Sequence, residues 1–518
     1  MLLAEVVTTS AAVAATRSRT AKVAALADLL RRVDAHTDLV AVVVSYLGGS
    51  LRQRRTGLGW RSLTALPDPA AVSTLTVDEV HSTFDAVAGF AGSGSQGRRA
   101  AAVNELFVRA TVDEQRWLRN IITGEVRQGA LDALVQDAAA QVAGVPAPAV
   151  RRAAMFAGST VDAAVAALSG GQEALAGFVL EVGRAVLPML ASSATSVATA
   201  LAQLAPEQPE GQPGQGRTAG TPVAVDTKVD GIRIQVHRDG AEVRIATRTL
   251  EDITARLPEV VEVVLGLPAS TFVLDGEAIA LDAAGRPRAF QETASRTAQA
   301  SGVAVQPFFF DVLHLEGTDL VDAPLRERLT ALDTLVPQRW RVPRLVTADP
   351  AAATRFAQEA VAAGHEGVVV KDLSAGYAAG RRAAAWVKVK PVHTLDLVVL
   401  AVEPGSGRRH GWLSNIHLGA RDPDTGGFVM LGKTFKGMTD EMLVWQTRRF
   451  TELEVSRSAH VVTVRPEQVV EIAFDGLQRS TRYPGGVALR FARVLRYRHD
   501  KTPQEADTIA MVRALGPP

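Results

Sequence analysis

The sequence changes its hydrophobic period near residue 206, and this change constrains the fold more than any other feature. Before it, Ala, Leu and Val recur at three- and four-residue spacing, which predicts amphipathic helices. Helices are predicted over residues 11–32, 98–110, 113–122, 130–142 and 172–186. Residues 206–221 read PEQPEGQPGQGRTAGT, and a segment so rich in Pro, Gly and Gln is predicted to be flexible.

After this segment, apolar and polar residues alternate with a period of two, which predicts strands. Asp239-Gly240 predicts a hairpin turn, and helices are predicted at 325–334 and 351–363. From residue 393 on, short strands and Gly-rich turns predict a small β-barrel. Its strands are predicted at 396–402, 412–419, 427–431, 461–464 and 469–474. The predicted order is all-α, then α+β with antiparallel strands, then all-β.

Composition excludes several classes of function. The 518 residues include no cysteine, which excludes disulfide scaffolds, Cys-based zinc sites, iron–sulfur clusters and thiol nucleophiles. Lys and Arg number 56 against 55 Asp and Glu, so any binding to nucleic acid must use local basic patches. No apolar run reaches about 18 residues and no signal-peptide pattern opens the chain, so we expect a soluble cytoplasmic protein and no membrane partner.

Two glycine-rich segments match phosphate-binding patterns, but their contexts favour other interpretations. Residues 427–434 read GFVMLGKT, which fits G-x-x-x-x-G-K-T. Their variable positions are strand formers and no helix follows, so we interpret them as a barrel strand and turn. Residues 92–97 fit G-x-G-x-x-G but follow a helical stretch, which favours a loop between helices.

Five segments place charged residues on or beside predicted strands. They are 226–233 (DTKVDGIR), 272–277 (FVLDGE), 310–313 (FDVL), 366–371 (EGVVVK) and 386–390 (WVKVK). A single strand lysine is ordinarily a solvated side chain, and alternation alone puts Lys388 and Lys390 on one face. Five such segments in one region instead predict a site for phosphate chemistry.

The chemistry that suits these residue types is nucleotidyl transfer through a covalent lysine. An attacking amine must be neutral, whereas the pKa of a free lysine is about 10.4, so nearby positive charge is required. Lys371, Lys388 or a metal would supply that charge. The carboxylates of Glu277 and Glu366 are suited to bind Mg²⁺ or a ribose. Lys371, Lys388 and Lys390 are suited to neutralise phosphate charge as it shifts in the transition state.

In their order and spacing, these segments resemble the ATP-dependent DNA ligases of the covalent nucleotidyltransferase superfamily, in the bacterial form with an N-terminal helical DNA-binding domain. The resemblance implies an activity of the EC 6.5.1.1 type. Lys228 would attack the α-phosphate of ATP, release pyrophosphate and carry AMP. AMP would then pass to the 5′-phosphate at a nick in duplex DNA, and the 3′-hydroxyl would displace it.

The resemblance also implies roles for the other cavity residues. Asp226 would contact the adenine amino group, Phe310 would stack on the base, and Glu277 would bind the ribose and a metal. The remaining implied contacts are nucleotide binding by Arg233 and Arg382, a ribose or nick-phosphate contact by Arg248, a metal-linked carboxylate at Glu366, and phosphate or ATP contacts by Lys371, Lys388 and Lys390.

Both ends of the chain carry further similarity to this family. The segment 482–501 resembles its final motif, so Arg498 and Lys501 would orient the departing pyrophosphate when an oligonucleotide-binding (OB) barrel swings over ATP. Residues 121–130 resemble a DNA-binding turn in which Thr123, Gly124, Arg127 and Gly129 would approach the minor groove. A helix cap and turn is the alternative interpretation of that segment.

The resemblance implies three domains and a set of partners. The helical DNA-binding domain spans 1–184, an ATP-grasp-like adenylation domain spans 185–391 with the insertion 206–221, and the OB-fold domain spans 392–518. ATP is the implied co-substrate, with Mg²⁺ or Mn²⁺ as the metal. The implied partner is nicked double-stranded DNA, wrapped by a monomer that acts as a clamp, in the cytoplasm at the bacterial nucleoid. Replication, repair and recombination all use this chemistry.

The sequence departs from the family pattern at three places, and two alternative functions remain. Asp226 occupies the position of the usual Glu, Thr249 that of the usual Asn, and Ala492 that of a usual proline.

An RNA ligase or a capping-type nucleotidyltransferase shares the lysine chemistry, although such proteins usually lack a helical N-terminal third. A DNA-binding clamp without catalytic activity is the alternative from another class.

Overall fold

The computed structural model describes residues 1–34, 38–53, 55–63, 66–126, 128, 131–204, 220–288, 290–298, 302–378, 382–406 and 409–515. The predicted flexible segment 206–221 lies outside these residues except for Gly220 and Thr221. Within the described ranges, no helix is both long enough and apolar enough to cross a bilayer.

The N-terminal third is helical, as the period of its apolar residues predicts. Its α-helices are α1 (Leu3–Ala15), α2 (Arg19–Leu30), α3 (Leu39–Leu47), α4 (Val77–Gly89), α5 (Ser95–Val108), α6 (Val112–Thr123), α7 (Leu131–Ala143), α8 (Ala147–Ala157) and α9 (Thr160–Ala176). Tyr46, Phe84, Phe107 and Trp117 are buried in its core. Gly92 and Gly94 lie in the connection between α4 and α5, and Gly97 lies in the first turn of α5. The pattern thus joins two helices, as interpreted, and does not follow a strand.

Two predicted helices of this region are wrong in extent. The predicted helix 11–32 is two helices, because the chain is extended at Thr16 and the Ser18 hydroxyl accepts a hydrogen bond from the Ala21 N–H at 3.3 Å to begin α2. The predicted helix 172–186 ends at Ala176. Residues beyond it bury apolar side chains against the middle of the chain, and this packing overrides their helical spacing.

The middle of the chain forms two five-stranded sheets with helices around them. Its strands are β1 (Leu190–Ala194), β2 (Val223–Lys228), β3 (Ile232–Asp239), β4 (Glu242–Thr247), β5 (Thr271–Ala280), β6 (Val305–Leu315), β7 (Thr318–Asp319), β8 (Arg344–Thr347), β9 (Gly367–Asp372) and β10 (Arg382–Val389). Its helices are α10 (Val197–Leu204), α11 (Pro258–Leu265), α12 (Phe290–Ala298), α13 (Leu325–Leu335) and α14 (Pro350–Ala362).

The two middle sheets have the orders β1-β10-β9-β2-β8 and β4-β3-β5-β6-β7. Their pairings are antiparallel apart from β1 with β10, which is parallel. The predicted hairpin at Asp239-Gly240 is confirmed, since β3 and β4 pair on either side of it. This arrangement brings residues of β2, β5, β6, β9 and β10 to one cavity.

The C-terminal part is mainly β, as predicted. Its strands are β11 (His393–Pro404), β12 (Leu413–Arg421), β13 (Phe428–Thr434), β14 (Glu454–Arg457), β15 (Val462–Val464), β16 (Val469–Phe474), β17 (Gly476–Arg479), β18 (Val487–Arg490) and β19 (Arg493–Arg498), with helices α15 (Asp440–Glu452) and α16 (Ile509–Ala514). Seven strands form one sheet and β17 pairs with β18. Residues 428–434 are strand β13, which confirms that the G-x-x-x-x-G-K-T match is a strand and not a phosphate-binding loop.

The last N-terminal helices and the middle sheets share one apolar core. Phe156 of α8 and Val186 of the following segment pack with Val273, Leu313 and Trp386. Polar side chains of β3 fix the same segment, because Gln235 Oε1 accepts from the Val186 N–H at 2.7 Å. His237 Nδ1 accepts from the Gly183 N–H at 3.1 Å. The helical region and the middle sheets are therefore joined by packing as well as by the chain.

Burial, with a smaller contribution from the positive charge of Arg244, lowers the pKa of His237 from 6.5 to about 4. The unfolded chain then binds the proton more readily, so this histidine's contribution to stability is complete above pH 6.5 and is lost as the pH falls toward 4. Between pH 7 and pH 5 we expect it to lower the free energy of unfolding by about 2 kcal/mol. Urea titration of wild type and His237→Gln at both pH values measures this difference.

In His237→Gln, the free energy of unfolding should change less between pH 7 and pH 5 than in wild type, because most of the His237 contribution is lost. His460→Gln, which replaces an exposed histidine of the C-terminal part, is the control and should keep the wild-type difference. An equal pH difference in wild type and His237→Gln would show that the imidazole is not held neutral by this packing.

Candidate active site

A cavity of about 540 Å³ lies between the two middle sheets. All five charged segments of the sequence contribute to it. The predicted residues that line it are Asp226, Lys228, Arg233, Arg248, Glu277, Phe310, Lys371, Lys388 and Lys390. Side chains that lie far apart in sequence, on strands of both sheets, thus face one cavity.

Lys228 ends strand β2, and its side chain is 22% exposed. Its amine forms an ion pair with Oε2 of Glu366, whose Oε1 contacts the amine of Lys390. The Glu366 N–H also donates to the Lys228 carbonyl at 3.0 Å, so backbone and side chain together fix the carboxylate beside the lysine. Burial, with a contribution from the charge of Lys228, lowers the pKa of Lys390.

The turn after Lys228 presses closely on strand β5. A Cβ at Gly231 would lie 2.3 Å from the Ala278 carbonyl oxygen, so only glycine permits this approach. The Gly231 N–H donates to Oε1 of Glu277 at 3.0 Å. Burial raises the pKa of Glu277, against the opposing effects of Lys228 and this N–H. The glycine thus brings the lysine strand and the Glu277 carboxylate together.

Arg233 is held by residues that the sequence does not single out. Its guanidinium donates to both oxygens of the fully buried Asp275, at 3.0 and 2.6 Å, and to the Met189 carbonyl at 2.6 Å. The Tyr377 hydroxyl donates to Asp275 at 2.7 Å and accepts from the Met189 N–H at 3.0 Å. Burial, and the Asp275 carboxylate beside it, raise the pKa of Tyr377, so the hydroxyl keeps its proton.

Asp226 and Lys371 lie at another end of the cavity and are both 2% exposed. Lys371 Nζ is 2.6 Å from Asp226 Oδ2 and lies 4.6 Å from the ring centre of Phe310 and 4.2 Å from that of Trp386. Arg344 of β8, which the sequence analysis misses, donates to the same carboxylate at 2.5 and 3.2 Å. Lys371 therefore lies beside Asp226 and Phe310, the residues expected to hold the base.

Two other predicted cations, Arg248 and Lys388, line the cavity, and a third, Arg382, is on the same strand as Lys388. Arg248 is exposed in the turn between Thr247 and Thr249, and Lys388 is on β10. Lys388 and Lys390 both line the cavity, as strand alternation predicts. Arg382 begins β10, but its side chain lies outside the described structure.

The C-terminal region contacts the site through a different face from the one the sequence predicts. Arg490 of β18 donates to the Asp230 carboxylate at 2.8 Å, two residues from Lys228. The predicted pyrophosphate residues are instead paired within the C-terminal region. Asp396 accepts from Arg498 at 2.9 Å and from Lys501 at 2.6 Å, so neither cation lines the cavity.

The predicted DNA-binding turn is described only in part. Thr123 ends α6 and donates its hydroxyl to the Arg119 carbonyl at 2.9 Å, while Gly124 has φ 69° and caps the helix. These two residues thus fit the helix-cap interpretation. Arg127 and Gly129 lie outside the described residues.

Three family models match the chain. "ATP dependent DNA ligase domain" matches residues 188–390, "ATP dependent DNA ligase C terminal region" matches 409–501 and "DNA ligase N terminus" matches 61–140. A relative from Kineococcus radiotolerans named "Probable DNA ligase" is 72% identical over 99% of this chain and 100% of its own length. One of the same name from Nocardioides sp. is 66% identical over 99% of both chains.

A solved structure has a similar fold at low identity. Pmar-Lig_Pre superposes with a TM-score of 0.62 over 96% of this chain and 99% of that chain, at 15% identity. At that identity the likeness concerns the fold alone. The family models, the close relatives and a cavity that gathers the predicted lysine and its charged neighbours agree, and the chain belongs to the family of ATP-dependent DNA ligases.

Proposed function

We propose that Lys228 is the residue of this ATP-dependent DNA ligase that carries AMP while the enzyme seals nicks in duplex DNA. The Nζ lone pair attacks the α-phosphorus of ATP, the bond to pyrophosphate breaks, and the amine loses a proton. An oxygen of the DNA 5′-phosphate then attacks that phosphorus, the P–N bond breaks and the lysine regains a proton. Finally the 3′-hydroxyl loses its proton as its oxygen attacks the 5′-phosphorus, and the bond from that phosphorus to AMP breaks. The observation that carries this proposal is the position of Lys228 between two carboxylates in a cation-lined cavity.

The cavity has the charge distribution that a nucleotide requires. Phe310 offers a ring face and Asp226 an acceptor for the adenine amino group, while Glu277 is placed for the ribose. Arg233, Arg248, Arg382, Lys371, Lys388 and Lys390 are the proposed nucleotide and phosphate contacts. Preplaced cations stabilise phosphate charge without reorganising when it shifts in the transition state.

Glu366 pairs with Lys228, so the carboxylate must release the amine before the amine attacks. Glu277 and Glu366 supply hard oxygen ligands that suit Mg²⁺ or Mn²⁺. The described residues contain no cluster of three metal-binding side chains, which fits a Mg²⁺ ion held by one or two carboxylates and the ATP phosphates. When bound, such an ion supplies positive charge to the triphosphate.

We further infer that the C-terminal region is an OB-fold barrel that rotates between steps. Here Arg490 contacts Asp230, and Arg498 and Lys501 are held by Asp396. For Arg498 and Lys501 to reach pyrophosphate, the barrel must turn and Asp396 must release them. With domain boundaries after residues 184 and 391, the first domain binds DNA and the other two bind ATP. The proposed DNA contacts of the first domain are Thr123, Gly124, Arg127 and Gly129. A cytoplasmic monomer that closes around nicked DNA at the nucleoid fits this arrangement.

The test is a labelling experiment. Protein is incubated with Mg²⁺ and ATP labelled at the α-phosphate, separated on a denaturing gel, and then chased with nicked duplex DNA. We expect wild type to take up label and to pass it on as nicks are sealed. Lys228→Ala should lose the label entirely, because it lacks the attacking nitrogen. Lys433→Ala, a lysine paired with Glu403 outside the cavity, is the matched control and should label normally.

The outcomes separate this proposal from the alternatives. Label from GTP in place of ATP would indicate a capping-type enzyme, and sealing of RNA alone would indicate an RNA ligase. Intact DNA binding with no adduct from any nucleotide would indicate a clamp without catalytic activity. Label retained by Lys228→Ala would refute the assignment of the nucleophile.

Tyr377→Phe should slow AMP loading about tenfold, because Asp275 and Met189 lose a buried hydrogen-bond partner and Arg233 is held less firmly. Initial rates of loading across ATP concentrations measure the effect. Tyr46→Phe is the matched control, since the Tyr46 hydroxyl is buried without a hydrogen-bond partner in the described structure. Equal rates for Tyr377→Phe and wild type would show that the hydroxyl does not position Arg233.

A further inference from the structure

We propose that Arg344 is a positioning residue that sets the base selectivity of AMP loading, by fixing the Asp226 carboxylate and the Phe310 backbone as one unit. This inference deepens the proposed function and rests on it. Arg344 itself is not among the residues that line the cavity, and it acts through two that do.

The contacts of Arg344 join both middle sheets. It begins β8, beside β2, and its side chain is 12% exposed. Its Nε donates to Asp226 Oδ1 at 2.5 Å and its Nη2 to Oδ2 at 3.2 Å. The same Nη2 donates to the Phe310 carbonyl at 3.2 Å, on β6 of the other sheet. One guanidinium thus fixes the distance between the carboxylate and the aromatic residue across the cavity.

The arrangement leaves Asp226 able to accept from a base. A carboxylate has about four acceptor positions. Two N–H groups of Arg344 take one position on each oxygen, and the Lys371 ammonium forms an ion pair with Oδ2 at 2.6 Å. A position therefore remains on Oδ1, the oxygen that Arg344 contacts through Nε.

The protonation state of Asp226 decides which base it prefers. Burial by itself would raise its pKa, but the charges of Lys371 and Arg344 overcome this effect and hold the pKa below its ordinary value. An ionised carboxylate only accepts hydrogen bonds, so it suits the 6-amino group of adenine. Facing a 6-oxo group, it would place two acceptors together. A protonated acid would donate to that oxygen and lose the preference.

Arg344 and Lys371 contribute differently to holding the Asp226 carboxylate. Lys371 supplies charge from between Phe310 and Trp386, but one ammonium contact leaves the carboxylate plane unconstrained. The planar guanidinium of Arg344 fixes that plane with two N–H groups and also reaches Phe310. Lysine at position 344 would keep the charge but not the two-point contact.

The experiment compares ATP with inosine triphosphate, which differs from ATP at C6 and the adjoining N1 and lacks the 2-amino group of GTP. Each nucleotide is supplied in a separate reaction, and intact-protein mass spectrometry of the adduct gives loading rates in wild type, Arg344→Gln and Arg344→Lys. We expect the ratio of ATP to ITP loading to fall about tenfold or more in Arg344→Gln. Arg344→Lys should restore part of the ratio.

Arg296→Gln is the matched control, because Arg296 also binds a carboxylate, on Glu259, and a backbone carbonyl, at Arg256. It should leave the ratio unchanged. An equal fall of both rates in Arg344→Gln, or an unchanged ratio, would overturn the proposal and leave Arg344 a structural residue. The failure of wild type to load ATP would instead refute the proposed function. Thermal unfolding of each variant shows whether it is folded.

Discussion

Neighbouring carboxylates lie in the core of the middle region, and the cations that neutralise them shape the cavity. Asp275 of β5 and Asp311 of β6 are opposite each other in the sheet, and both are fully buried. Like charges at opposite positions repel, and a buried charge is tolerated only when it is paired. Arg233 pairs with Asp275, and Arg328 pairs with Asp311 at 2.8 and 3.0 Å. Deleting one member of such a pair costs about 3–5 kcal/mol, so these residues fix the sheet.

The same requirement extends from the core to the reacting groups. Asp226 is neutralised by Arg344 and Lys371, and Glu366 by Lys228 and Lys390. Each carboxylate thus places a cation at a defined point of the cavity before a nucleotide arrives. A triphosphate brings negative charge to cations that are already in position, and it competes with Glu366 for Lys228. The ion pairs that stabilise the fold are therefore also those that prepare the site.

Sequence reasoning identifies the charged segments of the site but not the residues that hold them. Lys228, Glu277 and Lys388 stand in short local patterns on strands, and alternation directs them to one face. Arg344 and Tyr377 reach the site from other segments, through pairings that depend on strand register and on the packing of the Met189 segment. Local sequence contains no signal for such contacts. The pairing of Arg498 with Asp396 is equally non-local, which explains why the sequence places this arginine at ATP and the structure does not.

Helix prediction fails for a related reason. Residues 172–186 have helical spacing, but from 178 on their apolar side chains complete a core with Val273 and Trp386, and Gln235 and His237 bind their backbone. Tertiary packing there outweighs local propensity.

Several lysines surround one cavity, and we propose that Lys228 is the one that bonds to AMP. Protein loaded with ATP, digested without exposure to acid and analysed by tandem mass spectrometry tests this claim directly, because it locates the phosphoramidate on one side chain. We expect AMP on the peptide that contains Lys228, attached to that lysine alone. AMP on Lys371, Lys388 or Lys390 would contradict it, since these lysines are assigned to binding phosphate.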